Sequence, residues 1–182
     1  MKKITGILIC AAAALSATMT VACKEPASAS GTQKATEPSA TPAADALVKR
    51  LTPKFANKVK FKLSEKAEKP IISGAGSKLT ITAANERECI RAYGYYLRNI
   101  AHVHFSWNGD NSSGARFVVP TKKITVPAAL PFNYAYNYCT LSYTGAHWDK
   151  KRWERELDLL ALNGYRYVLV TSGLEELWKD IL

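Results

Sequence analysis

The sequence predicts an α/β protein in which a small two-layer α/β domain precedes the incomplete start of a TIM (β/α)8 barrel. In residues 45–130, short runs with alternating apolar residues are interleaved with helical patterns. Residues 131–182 follow the order strand, helix, strand, helix, which is typical of parallel βα units. A barrel needs eight such units and about 250 residues. We therefore expect the barrel to be incomplete within these 182 residues.

Residues 1–22 predict a signal peptide. Lys2 and Lys3 precede the apolar run ILICAAAALSA, which is too short to be interpreted first as a membrane span. The segment ends in small residues before Cys23, and this resembles the lipobox of bacterial lipoproteins, in which the cysteine is lipidated. The alternative is an ordinary signal peptide cleaved near Ala22, with an incidental cysteine. We expect an exported protein that Cys23 anchors to a membrane of the bacterial cell envelope, on its periplasmic or surface face.

Residues 23–44 predict a flexible linker. They are rich in Pro, Ala, Ser and Thr and contain almost no large apolar residue. Such a segment buries too little apolar surface to offset the entropy lost on ordering. A lipid anchor followed by a linker would hold the next domain away from a membrane surface.

Residues 45–130 predict one compact domain. A first helix is expected over residues 43–56, shortened by Pro53. A second is expected after Asn85, an N-cap residue whose partner in a capping-box-like pair is Glu88. Its apolar face is formed by Ile90, Tyr93, Gly94, Leu97 and Ile100. Strands are expected in the segments VKFKL, PIISG, KLTITA, VHFSW and ARFVV.

The charge and the histidines exclude two classes of partner. The net charge is +10, and in VKFKL the lysines alternate with apolar residues, which predicts a strand with one solvated face. Neither aromatic platforms nor a known nucleic-acid-binding fold accompanies this face, so we expect no nucleic-acid partner. His102 and His104 flank Val103 and are expected on one exposed strand face. With His147 they lack the spacing of metal ligands, so we expect no metal and no cofactor.

Cys89 and Cys139 are the two cysteines that follow Cys23. An oxidising compartment permits a disulfide between them. Two cysteines in different predicted domains are, however, weak evidence for one.

Residues 148–164 predict the first helix of the barrel. Asp149 is suited to cap it, and Gly164 to end it in a left-handed conformation. Its apolar stripe is expected to face the barrel and consists of Trp153, Leu157, Leu160 and Ala161. Glu154 and Glu156 are expected on a solvated or ion-paired face and are poor candidates for catalysis. Barrel enzymes place their chemistry at the carboxyl ends of strands, which here are Asn137, Cys139 and residues 171–175.

Three motifs carry a resemblance to a known family: NYCT at residues 137–140, RWERE at residues 152–156 and ALNG at residues 161–164. Together with neighbouring residues they resemble the alpha-N-acetylglucosaminidase family, glycoside hydrolase family 89. In that family a small N-terminal α/β domain precedes a βα barrel. The resemblance implies hydrolysis of terminal alpha-linked N-acetylglucosamine from glycans by a retaining mechanism.

The resemblance also implies a set of substrate-binding residues. Asn137 and Cys139 would line the pocket for the terminal N-acetylglucosamine, with Gly173 and Glu175 beside it. Cys139 is equally well interpreted as a buried apolar filler. Glu175 is equally well interpreted as a carboxylate at a helix N-terminus, where the helix dipole favours it.

No catalytic residue is expected within this sequence. A retaining glycosidase needs two carboxylates about 5–5.5 Å apart, and the resemblance implies glutamates on later barrel strands, beyond Leu182. We therefore expect this chain alone to be inactive. The alternative is a non-catalytic surface lipoprotein that binds a glycan or a protein partner through the small domain.

Overall fold

The computed structural model describes residues 39–137, 139–140 and 143–169. The predicted signal peptide, Cys23, and the segment that contains Gly173 and Glu175 lie outside the described residues. None of the helices within the described ranges is long and apolar enough to cross a membrane.

Three helices and eight short strands lie wholly within the described residues. The helices are α1 (Pro42–Leu51), α2 (Glu86–Asn99) and α3 (Lys150–Leu162). The strands are β1 (Val59–Leu63), β2 (Ile71–Ala75), β3 (Lys78–Ala83), β4 (Phe105–Ser106), β5 (Gly109–Asp110), β6 (Ile124–Thr125), β7 (Tyr134–Ala135) and β8 (Tyr167–Val168). Single 3₁₀ turns follow α1 at Pro53–Phe55 and β5 at Ser112–Gly114.

The small domain is a four-stranded mixed sheet with helices packed on it. The strand order is β1-β3-β2-β6, with β1 parallel to β3 and the other two pairs antiparallel. The helix and strand predictions up to residue 99 are confirmed. The Asn85 side chain accepts a hydrogen bond from the backbone N–H of Glu88 at 3.0 Å, as a capping residue does. In β1, Phe61 is buried while Lys60 and Lys62 are exposed.

Two tyrosines of α2 form the centre of the core. Tyr93 and Tyr96 are fully buried, and their hydroxyls still find partners in Thr52 and in the backbone of Val118. Such pairing removes the large cost of burying an unsatisfied hydroxyl. Burial raises the pKa of Tyr96 to about 12. Tyr96 is therefore a core residue, and its hydroxyl is not available to a ligand.

The second half of the small domain differs from the prediction. The segment ARFVV at residues 115–119 is not a strand. The Phe117 ring packs instead on the Phe55 ring, with 5.2 Å between the ring centres. The backbone N–H and carbonyl of Val118 bond to the Tyr96 hydroxyl rather than to a neighbouring strand. β4 pairs with β5 in a tight hairpin, with Phe105 opposite Asp110.

His102 and His104 were expected on one strand face, and this prediction is wrong. His102 has a φ of +53°, which is outside the extended region, and both histidines precede β4. The Asn111 side chain bonds to the His102 carbonyl at 3.0 Å and to the His104 N–H at 2.8 Å. These bonds occupy backbone groups that a neighbouring strand would otherwise pair. Both imidazoles are exposed, as predicted.

The strand that opens the barrel is much shorter than its sequence predicts. The run YAYNYCTLSYT indicates a strand over residues 134–144, but β7 ends at Ala135 and Tyr136 has a φ of +74°. A left-handed residue cannot continue a strand, so the chain turns there. β7 pairs in parallel with β8, with Tyr134 opposite Tyr167. The parallel pairing expected of a βα unit is confirmed.

The helix between these strands packs on the small domain. Asp149 caps α3 by accepting from the Arg152 N–H at 2.7 Å, and Gly164 follows it with a φ of +79°. Both features agree with the prediction. The predicted apolar stripe is partly wrong, because Leu157 is 48% exposed whereas Leu159 and Leu162 are buried. α3 packs against α2, so the face that buries Leu159 and Leu162 lies beside the predicted stripe.

The contact between α2 and α3 is very close at Gly94. A Cβ atom at this position would lie 2.0 Å from the Leu162 carbonyl oxygen and 2.8 Å from its carbonyl carbon. These are backbone atoms at the end of α3, and they cannot move aside as a flexible side chain would. Only glycine allows this approach.

We predict that Gly94→Ala lowers the free energy of unfolding by about 1–3 kcal/mol, the usual cost of overpacking. Alanine favours a helix by about 1 kcal/mol relative to glycine, so a net loss isolates the steric effect. Urea denaturation followed by tryptophan fluorescence measures the change. Gly114→Ala is the control, since no atom lies within 4 Å of a Cβ built there. A Gly94→Ala variant as stable as the unsubstituted protein would contradict the close packing.

Candidate functional site

The carboxyl end of β7 is the position at which a βα barrel places its chemistry. Ala135 is buried, Tyr136 is half-buried and Asn137 is exposed, so the chain emerges from the interior within three residues. The positive φ of Tyr136 turns the backbone immediately before Asn137. Both predicted pocket residues within the described ranges, Asn137 and Cys139, lie in this turn.

Asn137 organises the turn through one end of its amide. Its Oδ1 accepts from the Thr140 N–H at 3.1 Å and from the Thr140 hydroxyl at 3.4 Å. Cys139 and Thr140 are helical, and the Tyr143 N–H donates to the Cys139 carbonyl at 3.0 Å, as in one turn of a helix. The Asn137 Nδ2 makes no hydrogen bond to the rest of the described chain. A carboxamide carries two donors on this nitrogen, and within the described residues neither is occupied.

Neither of the two described cysteines forms a disulfide. Cys89 is fully buried in the core of the small domain, and burial raises the pKa of its thiol to about 11. Cys139 is half-buried in the turn after Asn137, so part of its surface remains accessible. The two cysteines therefore occupy different environments, and Cys89 is an ordinary core residue.

A buried carboxylate lies behind the turn. Glu156 of α3 is 3% exposed; it accepts from the Tyr136 hydroxyl through Oε1 and from Arg152 Nη1 at 2.9 Å through Oε2. Of the two alternatives expected for Glu156, solvated or ion-paired, the structure shows the ion pair, because the side chain is buried. Burial and the hydrogen bond to Glu156 raise the pKa of Tyr136, so its hydroxyl keeps its proton and donates.

Aromatic rings join this carboxylate to the small domain. The Arg152 guanidinium lies 4.2 Å from the centre of the Trp148 ring and 5.7 Å from that of Trp107. Trp107 belongs to the turn between β4 and β5, and its ring meets Trp148 edge to face at 5.9 Å. The β4–β5 hairpin thus contacts the region where α3 begins.

Two ion pairs add to this contact. Arg155 of α3 bonds to Asp110 of β5 at 3.0 Å. Arg50 of α1 binds Asp158 in a two-pronged arrangement, with Nε and Nη2 at 2.8 and 2.7 Å from the two carboxylate oxygens. The Asp158 hydrogen bond raises the pKa of Arg50. Planar, paired contacts of this kind fix orientation as well as distance.

A cleft of about 410 Å³ lies between α1 and α3. It is bordered by the paired Arg50 and Asp158 and by other charged residues of α3, and none of its lining residues belongs to the turn at residues 136–140. The buried carboxylate of the cleft, Asp158, is already neutralised by Arg50, so we assign no binding role to the cleft. No cluster of three or more metal-ligating side chains occurs within the described ranges.

The sequence did not indicate Tyr136, Glu156 or Trp107 as residues of this region. The spacing of Arg152 and Glu156, four residues apart on one helix, was the available signal for their ion pair. Nothing local predicts that Tyr136 would reach Glu156, because the two belong to different elements. Gly173 and Glu175 lie outside the described residues, so the structure places neither of them.

These features define a small α/β domain that supports the first βα unit of a barrel, with polar residues at the carboxyl end of its first strand. Two family models match the chain in the same order. The "Alpha-N-acetylglucosaminidase (NAGLU) N-terminal domain" matches residues 42–131, and the "Alpha-N-acetylglucosaminidase (NAGLU) tim-barrel domain" matches residues 133–182. The chain belongs to the alpha-N-acetylglucosaminidase family, and the predicted fold class and family are confirmed.

Individual members of this family also match the chain. Human alpha-N-acetylglucosaminidase is 39% identical over 92 residues, which are 47% of this chain and 12% of the human protein. A family 89 glycoside hydrolase from Clostridium perfringens, solved with 2-acetamido-1,2-dideoxynojirmycin, matches with a TM-score of 0.68 and 27% identity. The match covers 76% of this chain and 16% of that one.

A second structure of the Clostridium perfringens enzyme matches equally well, with the same identity, TM-score and coverage. In it two glutamates are replaced by glutamine, and the bound molecule is its substrate, GlcNAc-alpha-1,4-galactose. The present chain thus spans only a small part of the length of these relatives.

Proposed function

We propose that this chain is the N-terminal portion of an exported alpha-N-acetylglucosaminidase, which removes terminal alpha-linked N-acetylglucosamine from glycans with retention of configuration. The observation that carries the proposal is the consecutive match to the two domains of this family, with Asn137 at the carboxyl end of the first barrel strand. Barrel enzymes recruit substrate-binding residues from such strand ends.

The exposed amide of Asn137 is the group we assign to substrate binding. Its Oδ1 is occupied by Thr140, which fixes the amide plane and leaves Nδ2 to donate to a sugar oxygen. Cys139 would form part of the pocket wall, and Gly173 and Glu175 would lie beside it. The related Clostridium enzyme, which binds GlcNAc-alpha-1,4-galactose, supports a pocket for terminal N-acetylglucosamine.

The catalytic carboxylates are proposed to come from later strands, beyond Leu182. Within α3, Glu156 and Asp158 are buried and each is bonded to an arginine, so neither is free to donate a proton or attack a sugar. The related enzyme was trapped with its substrate after two Glu→Gln changes, which supports a pair of glutamates. A polypeptide of residues 1–182 alone would then bind at most part of the substrate and hydrolyse none.

We predict that the full-length protein hydrolyses 4-nitrophenyl alpha-N-acetylglucosaminide and that a polypeptide of residues 1–182 does not. Absorbance of released nitrophenol measures the rate, and proton NMR during the first turnovers identifies the anomer produced. Retention requires the alpha anomer to appear first. The beta-linked substrate is the control. Early beta anomer would contradict the retaining mechanism, and turnover by the 182-residue polypeptide would contradict its inactivity.

We predict that Asn137→Asp lowers kcat/KM of the full-length enzyme about 10- to 100-fold, because a donor to the substrate is replaced by an acceptor. Aspartate keeps the oxygen that accepts from Thr140, so the turn itself is preserved. Asn99→Ala, at the exposed end of α2, is the control and should leave kcat/KM unchanged. Equal kcat/KM values for Asn137→Asp and the unsubstituted enzyme would remove Asn137 from the pocket.

Membrane attachment is proposed to depend on Cys23. We predict that the expressed protein labels with radioactive palmitate and sediments with membranes, and that Cys23→Ala abolishes both. A lipid-modified cysteine carrying several chains gains about 0.8 kcal/mol per buried methylene, so its loss should release the protein. Cys139→Ala is the control and should label normally. Membrane sedimentation of the Cys23→Ala variant would show that another segment provides the anchor.

A further inference from the structure

The backbone at Tyr136 is held in an unfavourable conformation. A φ of +74° is uncommon for any residue with a side chain, and for a bulky one it is strained. The conformation persists only where surrounding contacts impose it. Because Tyr136 directly precedes Asn137, whatever imposes it also decides where the Asn137 amide is directed.

Two contacts hold the Tyr136 side chain. Its hydroxyl donates to Oε1 of the buried Glu156, and its ring meets Trp153 edge to face at 6.4 Å with an interplanar angle of 86°. The hydrogen bond fixes the position of the hydroxyl, and the contact with Trp153 packs the ring itself.

Glu156 is itself fixed in place. Arg152 Nη1 binds its second oxygen at 2.9 Å, so each carboxylate oxygen has one strong partner inside the protein. A charged group at 3% exposure is stable only with such pairing. Both carboxylate oxygens of Glu156 are thus occupied by partners within the described chain.

The series of contacts continues into the small domain. The Arg152 guanidinium lies over the Trp148 ring, and Trp107 of the β4–β5 hairpin approaches from the other domain. A cation over an indole is attracted by the negative face of the ring, and the attraction grows as the cation is desolvated. Through these contacts the hairpin helps to fix Arg152, Glu156 and the strand end.

We propose that Tyr136 and Glu156 are positioning residues that hold the Asn137 turn in its binding geometry, and that the β4–β5 hairpin of the small domain supports them through Trp107. This inference rests on the proposed function for the role of Asn137, but the contacts themselves do not depend on it. It gives the small domain a part in shaping the proposed sugar pocket, exerted through Arg152 and Glu156.

The test compares variants of the full-length enzyme. Tyr136→Phe removes only the hydroxyl and should raise KM for the 4-nitrophenyl substrate about fivefold, with kcat changed by less than about twofold. Glu156→Ala should raise KM at least as much. Glu156→Gln retains an acceptor for Tyr136, so its KM should lie much closer to that of the unsubstituted enzyme than the KM of Glu156→Ala does. A similar weakening is expected for binding of 2-acetamido-1,2-dideoxynojirimycin, measured by calorimetry.

Asp158→Asn separates positioning from general stability. Asp158 lies two residues beyond Glu156 on the same helix, is equally buried and pairs with Arg50 instead. Its loss should lower the melting temperature without raising KM. If Asp158→Asn raises KM as much as Tyr136→Phe does, or if Tyr136→Phe leaves KM unchanged, the proposal is overturned.

Amide hydrogen exchange provides a readout that needs no catalysis. The Thr140 N–H donates to Asn137, so Tyr136→Phe should speed exchange in the peptide that covers residues 137–140. It should leave the core peptide around Tyr93 unchanged. Absence of activity on the alpha-linked 4-nitrophenyl substrate would refute the proposed function alone. Unchanged exchange in residues 137–140 would refute the positioning role.

Discussion

The contact between α2 and α3 is the constraint on which the rest of the described structure depends. Gly94 lets the end of α3 approach the α2 backbone, and this places Leu162 in the same hydrophobic core as Tyr93 and Leu97. With α3 fixed in this way, Arg50 reaches Asp158, and Trp107 reaches Trp148. The small domain and the first βα unit therefore share one core, and they are not two bodies joined by a linker.

This shared core explains why the polar groups of α3 point in different directions. Asp158 is turned toward α1, where Arg50 neutralises it, while Glu156 is turned toward β7 and is neutralised by Arg152. Each buried carboxylate has a cation of its own, which offsets the cost of removing both charges from water. One helix thus connects the small domain on one side with the end of the first barrel strand on another.

The sequence predicted the elements whose signals are local. The caps at Asn85 and Asp149 and the left-handed Gly164 are set by neighbouring residues, and all three are confirmed. The alternation in β1 is confirmed for Lys60, Phe61 and Lys62, whereas Leu63 is exposed. The early end of β7 was not predictable, because the left-handed conformation of Tyr136 is maintained by Glu156, twenty residues away. The burial of Glu156 was missed for the same reason. Hydrophobic periodicity records which face of a helix is apolar, but not which buried polar groups have partners elsewhere.

The composition of the core also bears on the order of events during synthesis. Every buried member of the main cluster except Leu162 lies between Ala44 and Val126. Nearly the whole core therefore precedes α3 along the chain, and N-terminal units generally fold first. Leu162 of α3 then packs against a core whose other members have already been synthesised. In this view the small domain is a template on which the barrel begins to fold, and a defect in the small domain would impair folding of the barrel.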